Sequence, residues 1–233
     1  MDGPPAERRY GLVIFDNDGT LADTFPWFLS VLDGVADRYR FRRADPAERE
    51  RLRSLGPREI LAELAVPRWR LPFIVRHVRR LKADEIGSFR LFPGVPETLR
   101  RLSEAGVRLA IVSSDTEANV RAILGPDLSR LIGTFDCGAS LFGKRRHIAR
   151  VVRRAGASPR SVLYIGDEIR DAEAARAVGT AFGAATWGYS DGDALRRAGP
   201  DAVFGHPREI AEHCLPRAGV PASSAILTER RPV

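Results

Sequence analysis

Residues 10–21 read Tyr10-Gly11-Leu12-Val13-Ile14-Phe15-Asp16-Asn17-Asp18-Gly19-Thr20-Leu21, and this stretch decides the fold. The apolar run 10–15 is too short for a helix and stops abruptly at two carboxylates and a Gly-Thr pair, which is the pattern of a buried strand running into a turn. From about 25 to 84 no comparable strand run occurs. The apolar spacing there is helical, first in Trp27-Phe28-Val31-Leu32-Val35 and again in Leu71-Ile74-Val75-Val78-Leu81, so the whole stretch is predicted to be helical.

Beyond it the pattern alternates. A helix is predicted over 96–105, a strand over 108–112, a helix over 117–124, a short strand near Phe135 and a helix over 145–155. Strand 162–165, helix 170–178, strand 180–184, helix 193–198, strand 202–204 and helix 208–214 follow. Such alternation implies an α/β fold with a parallel, Rossmann-like sheet covered on both faces. The helical stretch after the first strand then reads as an inserted all-helical cap domain, residues 22–90, on a core formed by 1–21 and 91–215. Its hinges are expected at 21–24 and 87–94, with Pro96 placed at a helix start. The tail 216–233, rich in Pro, Ser and Arg without periodicity, is expected to be a surface arm or disordered.

Composition narrows the function classes. The apolar and charged fractions, 44% and 29%, are those of an ordinary globular protein. The formal net charge is +7, but the arginines that carry it are scattered along predicted helices, as at Arg76, Arg79, Arg80, Arg150, Arg153 and Arg154. No nucleic-acid module is legible, and no nucleic-acid partner is expected. Cys137 and Cys214 lie far apart with no Cys/His cluster beside them, which argues against a disulfide framework or a zinc site. No stretch approaches the roughly 18 apolar residues of a membrane span. A cytoplasmic protein with no membrane partner, monomeric or homodimeric, is expected.

In open parallel sheets ligands bind beyond the carboxyl ends of the strands. The first strand ends in Asp16 and Asp18, the strand 108–112 in Ser113-Ser114-Asp115, and the strand 162–165 in Gly166-Asp167; Lys144 opens the helix after the strand near Phe135. Singly, Ser113 would pass for a helix cap, Lys144 for a solvated side chain and Asp171 for a first-turn carboxylate. Together they are a set. Lys144 gains weight because it and Lys82 are the only lysines in an arginine-rich chain.

The set resembles the haloacid dehalogenase-like superfamily, close to its phosphoglycolate phosphatase-like members. Phe15-Asp16-Asn17-Asp18-Gly19-Thr20-Leu21 is similar to the first motif of that superfamily, Ile111-Val112-Ser113 to the second, Gly143-Lys144 to the third and Gly166-Asp167-Glu168-Ile169-Arg170-Asp171 to the fourth. The motifs occur in the family's order, and with the helical insert the resemblance covers roughly residues 10 to 214. It implies a phosphatase acting on a small phosphorylated metabolite, with phosphoglycolate the best named substrate.

The chemistry of phosphate monoesters suits the same residues. Asp16 is expected to be the nucleophile and Asp18 the general acid, then the base for water. Ser113, with Ser114, and Lys144 would bind the phosphoryl oxygens. Carboxylates at Asp16, Asp18, Asp167 and Asp171 would repel both one another and the phosphate, so a cation is required, and hard oxygen ligands favour magnesium. Asp16 and Asp167 would hold it, joined, as the resemblance implies, by the backbone carbonyl of Asp18; Asp171 is expected to orient a metal-bound water. Arg53 and Arg58 flank Leu55-Gly56-Pro57, a turn between insert helices at which caps of this kind present specificity residues. His77, His147, His206 and His213 show no metal-ligand spacing, and Phe25 and Trp27 read as insert core.

Other readings remain open. A dehalogenase would not need Asp18, and a phosphonatase would need a Schiff-base lysine from the insert, where only Lys82 is offered, near the far end. A sugar phosphomutase resembling beta-phosphoglucomutase shares all four motifs. A non-catalytic binding or regulatory protein of the same fold would not need Asp16, Asp18, Lys144 and Asp167 intact.

Overall fold

The computed structural model describes residues 9–140 and 143–215; the expectation for the tail 216–233 falls outside them. The chain opens with β1 (Leu12–Phe15) and then runs through four helices, α1 (Phe25–Tyr39), α2 (Pro46–Leu52), α3 (Pro57–Glu63) and α4 (Leu71–Asp84). The remainder alternates as α5 (Val95–Glu104), β2 (Arg108–Val112), α6 (Glu117–Ser129), β3 (Ile132–Asp136), α7 (Lys144–Arg154) and β4 (Val162–Gly166). It closes with α8 (Ile169–Val178), β5 (Ala181–Ala185), α9 (Gly192–Arg197), β6 (Ala202–Phe204) and α10 (Pro207–Cys214).

The six strands form one parallel sheet in the order β3-β2-β1-β4-β5-β6. β1 is central, and all four of its residues are buried. Side chains alternate across the pleat. Val13, Phe15, Leu109, Ile111, Leu163 and Ile165 pack on one face against α5, α6 and α10. Leu12, Ile14, Ala110, Val112, Val162 and Tyr164 pack on the other against α7, α8 and α9. A sheet covered twice explains why its strands read as unbroken apolar runs.

Register places the site. Phe15 pairs with Ile111 on one side and Ile165 on the other, so the residues that follow β1, β2 and β4 emerge at one level of the sheet edge.

Several boundaries differ from expectation. β1 begins at Leu12, because Gly11 donates instead to the Ser161 carbonyl below the ladder. α6 runs past 124 to Ser129: Gly125 (φ 74°) kinks it, and Pro126 restarts it at a first-turn position, where no N–H is needed, so that Leu128 is buried. α2 and α3, of 7 residues each, are too short for apolar spacing to show a helical period. Each begins with a proline, and Asp45 caps α2 by accepting from the Glu48 N–H.

The connections into and out of the helical segment run side by side. Asp23 donates to the Arg90 carbonyl (2.9 Å) and Phe92 to that of Leu21 (2.9 Å). Among the described residues both cysteines are free, and no helix is long and apolar enough to cross a membrane.

Candidate active site

After β1 the chain folds into a tight loop, in which the N–H groups of Leu21 and Ala22 both donate to the Asn17 carbonyl (2.9 Å). Gly19 makes this possible. Its φ is +76°, and a Cβ there would lie 2.1 Å from Asp167 Oδ2. Asp16 is therefore held at the strand end, 3% exposed, where Oδ1 accepts from the Asn17 N–H (2.8 Å) and Oδ2 from Lys144 Nζ.

Lys144 opens α7 and reaches Asp16 and, at 2.5 Å, Asp171 Oδ1. Asp171, on the first turn of α8, also accepts from the Tyr164 hydroxyl (3.2 Å) and the Glu168 N–H (3.1 Å). Both Asp171 oxygens are thus engaged by protein donors, Lys144 among them. Gly166 keeps Asp171 this close, since a Cβ on it would meet Asp171 Oδ2 at 2.3 Å.

Asp167 is fully buried between two donors, the Thr20 hydroxyl (2.6 Å) and the Tyr189 N–H (2.8 Å). Carboxylate oxygens of Asp16, Asp167 and Asp171 lie within 4.8 Å of one another. Ser113 is buried at the end of β2, where its Oγ accepts from the Asp115 N–H (3.0 Å), so its own proton can turn to a ligand oxygen. Ser114 presents its carbonyl to Arg79.

Charge at this point is short of balance. Burial, aided by Asp171 and opposed by Lys144, pushes the Asp16 carboxyl up to about 7. Burial, with Asp16 nearby, also raises Asp167 well above the ordinary carboxylate range. Burial works against the charge on Lys144, but Asp16 and Asp171 outweigh it and hold the amine protonated. Buried carboxylates with hard oxygens and too little positive charge fit a small divalent cation. Asp16, Asp167 and Asp171 form the carboxylate group that could hold it.

The helical segment reaches the same place. Arg58 lines a cleft of about 520 Å³ with Lys144, Arg145 and Arg170. Arg53 does not join it. Its guanidinium donates to the carbonyls of Gly188 (3.1 Å) and Tyr189 (3.0 Å) and pairs with Glu50, because the loop after β5 rises toward α2 and offers it two acceptors.

Sequence reasoning missed Lys82 and Asp115. Lys82, near the end of α4, is 4% exposed and contacts both Asp18 and Asp115, the latter at 2.7 Å. Burial opposes its charge, yet the two carboxylates raise its pKa, the reverse of what a Schiff-base amine needs. The signal was present: Lys82 is one of two lysines, and Asp115 directly follows the Ser113-Ser114 pair.

Comparison with known proteins agrees with this architecture. Residues 13–185 match the model of the haloacid dehalogenase-like hydrolase family. A phosphoglycolate phosphatase of Synechococcus elongatus is 33% identical over 86% of this chain and 95% of its own length. One of Mesorhizobium japonicum is 31% identical over 89% and 98%. Among solved structures, a haloacid dehalogenase-like hydrolase of Streptococcus pneumoniae superposes with a TM-score of 0.71 at 20% identity, covering 88% of this chain and 98% of its own. The chain belongs to the haloacid dehalogenase-like hydrolase family.

Proposed function

We propose that this chain is a magnesium-dependent phosphatase that hydrolyses a small phosphate monoester through an aspartyl-phosphate on Asp16. The observation that carries the reading is the buried bridge from Asp16 through Lys144 to Asp171, beside Asp167 and Ser113. Two phosphoglycolate phosphatases at or above 31% identity make phosphoglycolate the substrate best supported. Residues 22–90 act as the cap domain on a core of 1–21 and 91–215.

Asp16 attacks phosphorus in line as the ester oxygen departs, and the acyl phosphate forms as the P–O bond to the alcohol breaks. Asp18, two residues on and a quarter exposed, gives its proton to the departing oxygen, then takes one from the water that opens the acyl phosphate. The Ser113 hydroxyl and the Lys144 ammonium bind the phosphoryl oxygens while charge builds on them. A magnesium ion on Asp16, Asp167 and the Asp18 carbonyl would neutralise phosphate charge and align the ester with Asp16.

Trapping tests this directly. Acid quenching during turnover of a ³²P-labelled ester should leave hydroxylamine-labile label on the protein. In Asp16→Asn the label should be absent and kcat should fall by at least about 10⁴-fold. Label or turnover persisting in that variant would remove the covalent mechanism.

A further inference from the structure

Lys82 and Asp115 are buried charged groups that the mechanism above does not use. We propose that Lys82, carried on α4, is a positioning residue for the Asp18 proton donor, anchored by Asp115, so that proton transfer to the leaving group is assembled only when α4 is docked. The proposal rests on the reading of Asp18 as that donor.

The three groups differ in how firmly they are held. Asp115 is 2% exposed, and its Oδ1 accepts from the Thr116 N–H (2.7 Å) and from Asn119 Nδ2 (2.9 Å). Its Oδ2 is left to Lys82 Nζ at 2.7 Å, with no other partner among the described residues. Asp115 is therefore the fixed end of the pair. Asp18, by contrast, has a side chain 25% exposed, and among the described residues its carboxylate meets, besides Lys82, only Asn17 Nδ2, at 3.4 Å. Without Lys82, one long contact would be all that selects its rotamer.

Lys82 can serve as a fixed point because the end of α4 is itself docked. Arg79, one turn earlier, donates to the carbonyls of Ser114 and Ala139, and Asn119 Nδ2 donates back to the Arg79 carbonyl (3.3 Å). The Lys82 ammonium also sits 5.4 Å from the centroid of the Phe89 ring, on the return connection to the core. A buried ammonium is costly unless paired, and here both partners belong to the sheet edge that carries the chemistry. If α4 swings away, Asp18 loses its main restraint, and geometry errors of about 1 Å at a reacting group cost rate steeply.

A latch that merely closed the cap would affect all substrates alike. A residue that positions the proton donor matters most where the departing oxygen needs a proton: alkoxides do, and p-nitrophenolate leaves readily without one. The measurement is kcat/KM, which reports only steps up to departure of the alcohol and so excludes opening of the shared acyl phosphate. For Lys82→Met the expected loss is about 10²-fold with an alkyl phosphate and under about fivefold with p-nitrophenyl phosphate.

Asp18→Asn is measured in parallel and should show the same selectivity, more strongly. Equal losses on both esters in Lys82→Met, with Asp18→Asn selective, overturn the positioning role alone. Equal losses in Asp18→Asn would instead sink the proton-donor reading. Should Lys82→Met not fold, Lys82→Met/Asp115→Asn removes the buried pair together, and its ester selectivity, present or absent, decides the question.

Discussion

The parallel sheet and the helical segment between β1 and α5 are held by different forces. In the sheet, burial does nearly everything: residues such as Ile14, Phe15, Ile111 and Ile165 are wholly inaccessible, and two apolar clusters fill the space between strands and helices. The helical segment has a cluster of only four buried residues, Ala44, Leu52, Leu64 and Val66. Partly buried Phe41, Leu55, Ile60, Leu61, Leu71 and Ile74 pack around it, and the segment's surface carries arginine pairs such as Arg42 with Glu48 (2.6 Å) and Arg51 with Glu63, which, being exposed, contribute little. It meets the sheet edge through directed polar contacts from Arg53, Arg79 and Lys82. A region joined in this way can shift without disturbing the core, whereas the core cannot shift without unfolding.

The strongest test of that contrast is stability. Leu99→Ala, under the sheet and fully buried, should cost about 2–5 kcal/mol in denaturant unfolding, because α5 cannot collapse onto the void. Removing the carboxylate in Glu48→Gln, on the segment's surface, should leave the unfolding midpoint where it is. A comparable loss in both variants would mean that the ion pairs carry the segment as burial carries the sheet.

This division also explains what was legible in the sequence. The strands and their parallel arrangement could be read because a doubly covered sheet demands continuous apolar runs, and Asp16, Ser113 and Asp167 stood out because they follow such runs closely. Helices α2 and α3 were only implied. Their starts are set by Asp45, Pro46, Gly56 and Pro57 rather than by apolar spacing, and in α2 only Leu52 is buried. The contacts of Arg53 were hidden for a like reason: its partners are main-chain carbonyls at 188 and 189, which leave no mark in a sequence. Lys82 lay in plain view, but its burial depends on α4 crossing the sheet edge, a tertiary relation that periodicity does not encode.

A smaller effect separates the charge balance of the site from the rest of the core. The Asp16 carboxyl is raised from 3.8 to about 7, so its contribution to the stability of the metal-free protein is fully present below 3.8 and is lost as pH rises through about 7. Magnesium needs the ionised form. The rise in melting temperature on adding magnesium should therefore grow from about pH 5 to about pH 7 and then level off, and in Asp16→Asn that trend should flatten. A magnesium effect independent of pH over this range would show that Asp16 is already ionised without the metal.

The finest comparison lies within the helical segment, between its two docking edges. At the α4 edge Lys82 touches Asp18 itself; at the α2 edge Arg53 grips the carbonyls of Gly188 and Tyr189, while the Tyr189 N–H holds Asp167 Oδ2 at 2.8 Å. Gly188 cannot be padded to make up for a lost grip, because a Cβ there would lie 2.3 Å from Asp167 Oδ2. Arg53→Met should therefore act through closure and through the metal-side carboxylate, raising the KM for both ester and magnesium by a few-fold, about 1 kcal/mol or less for a side chain that is 27% exposed. It should not alter the ratio of alkyl to aryl turnover, since nothing in its contacts reaches Asp18. Small-angle scattering with magnesium and a phosphate analogue should show less compaction in this variant than in the parent. If Arg53→Met instead reproduced the ester selectivity expected of Lys82→Met, the two edges would not act separately, and the segment would close on the site as one rigid body.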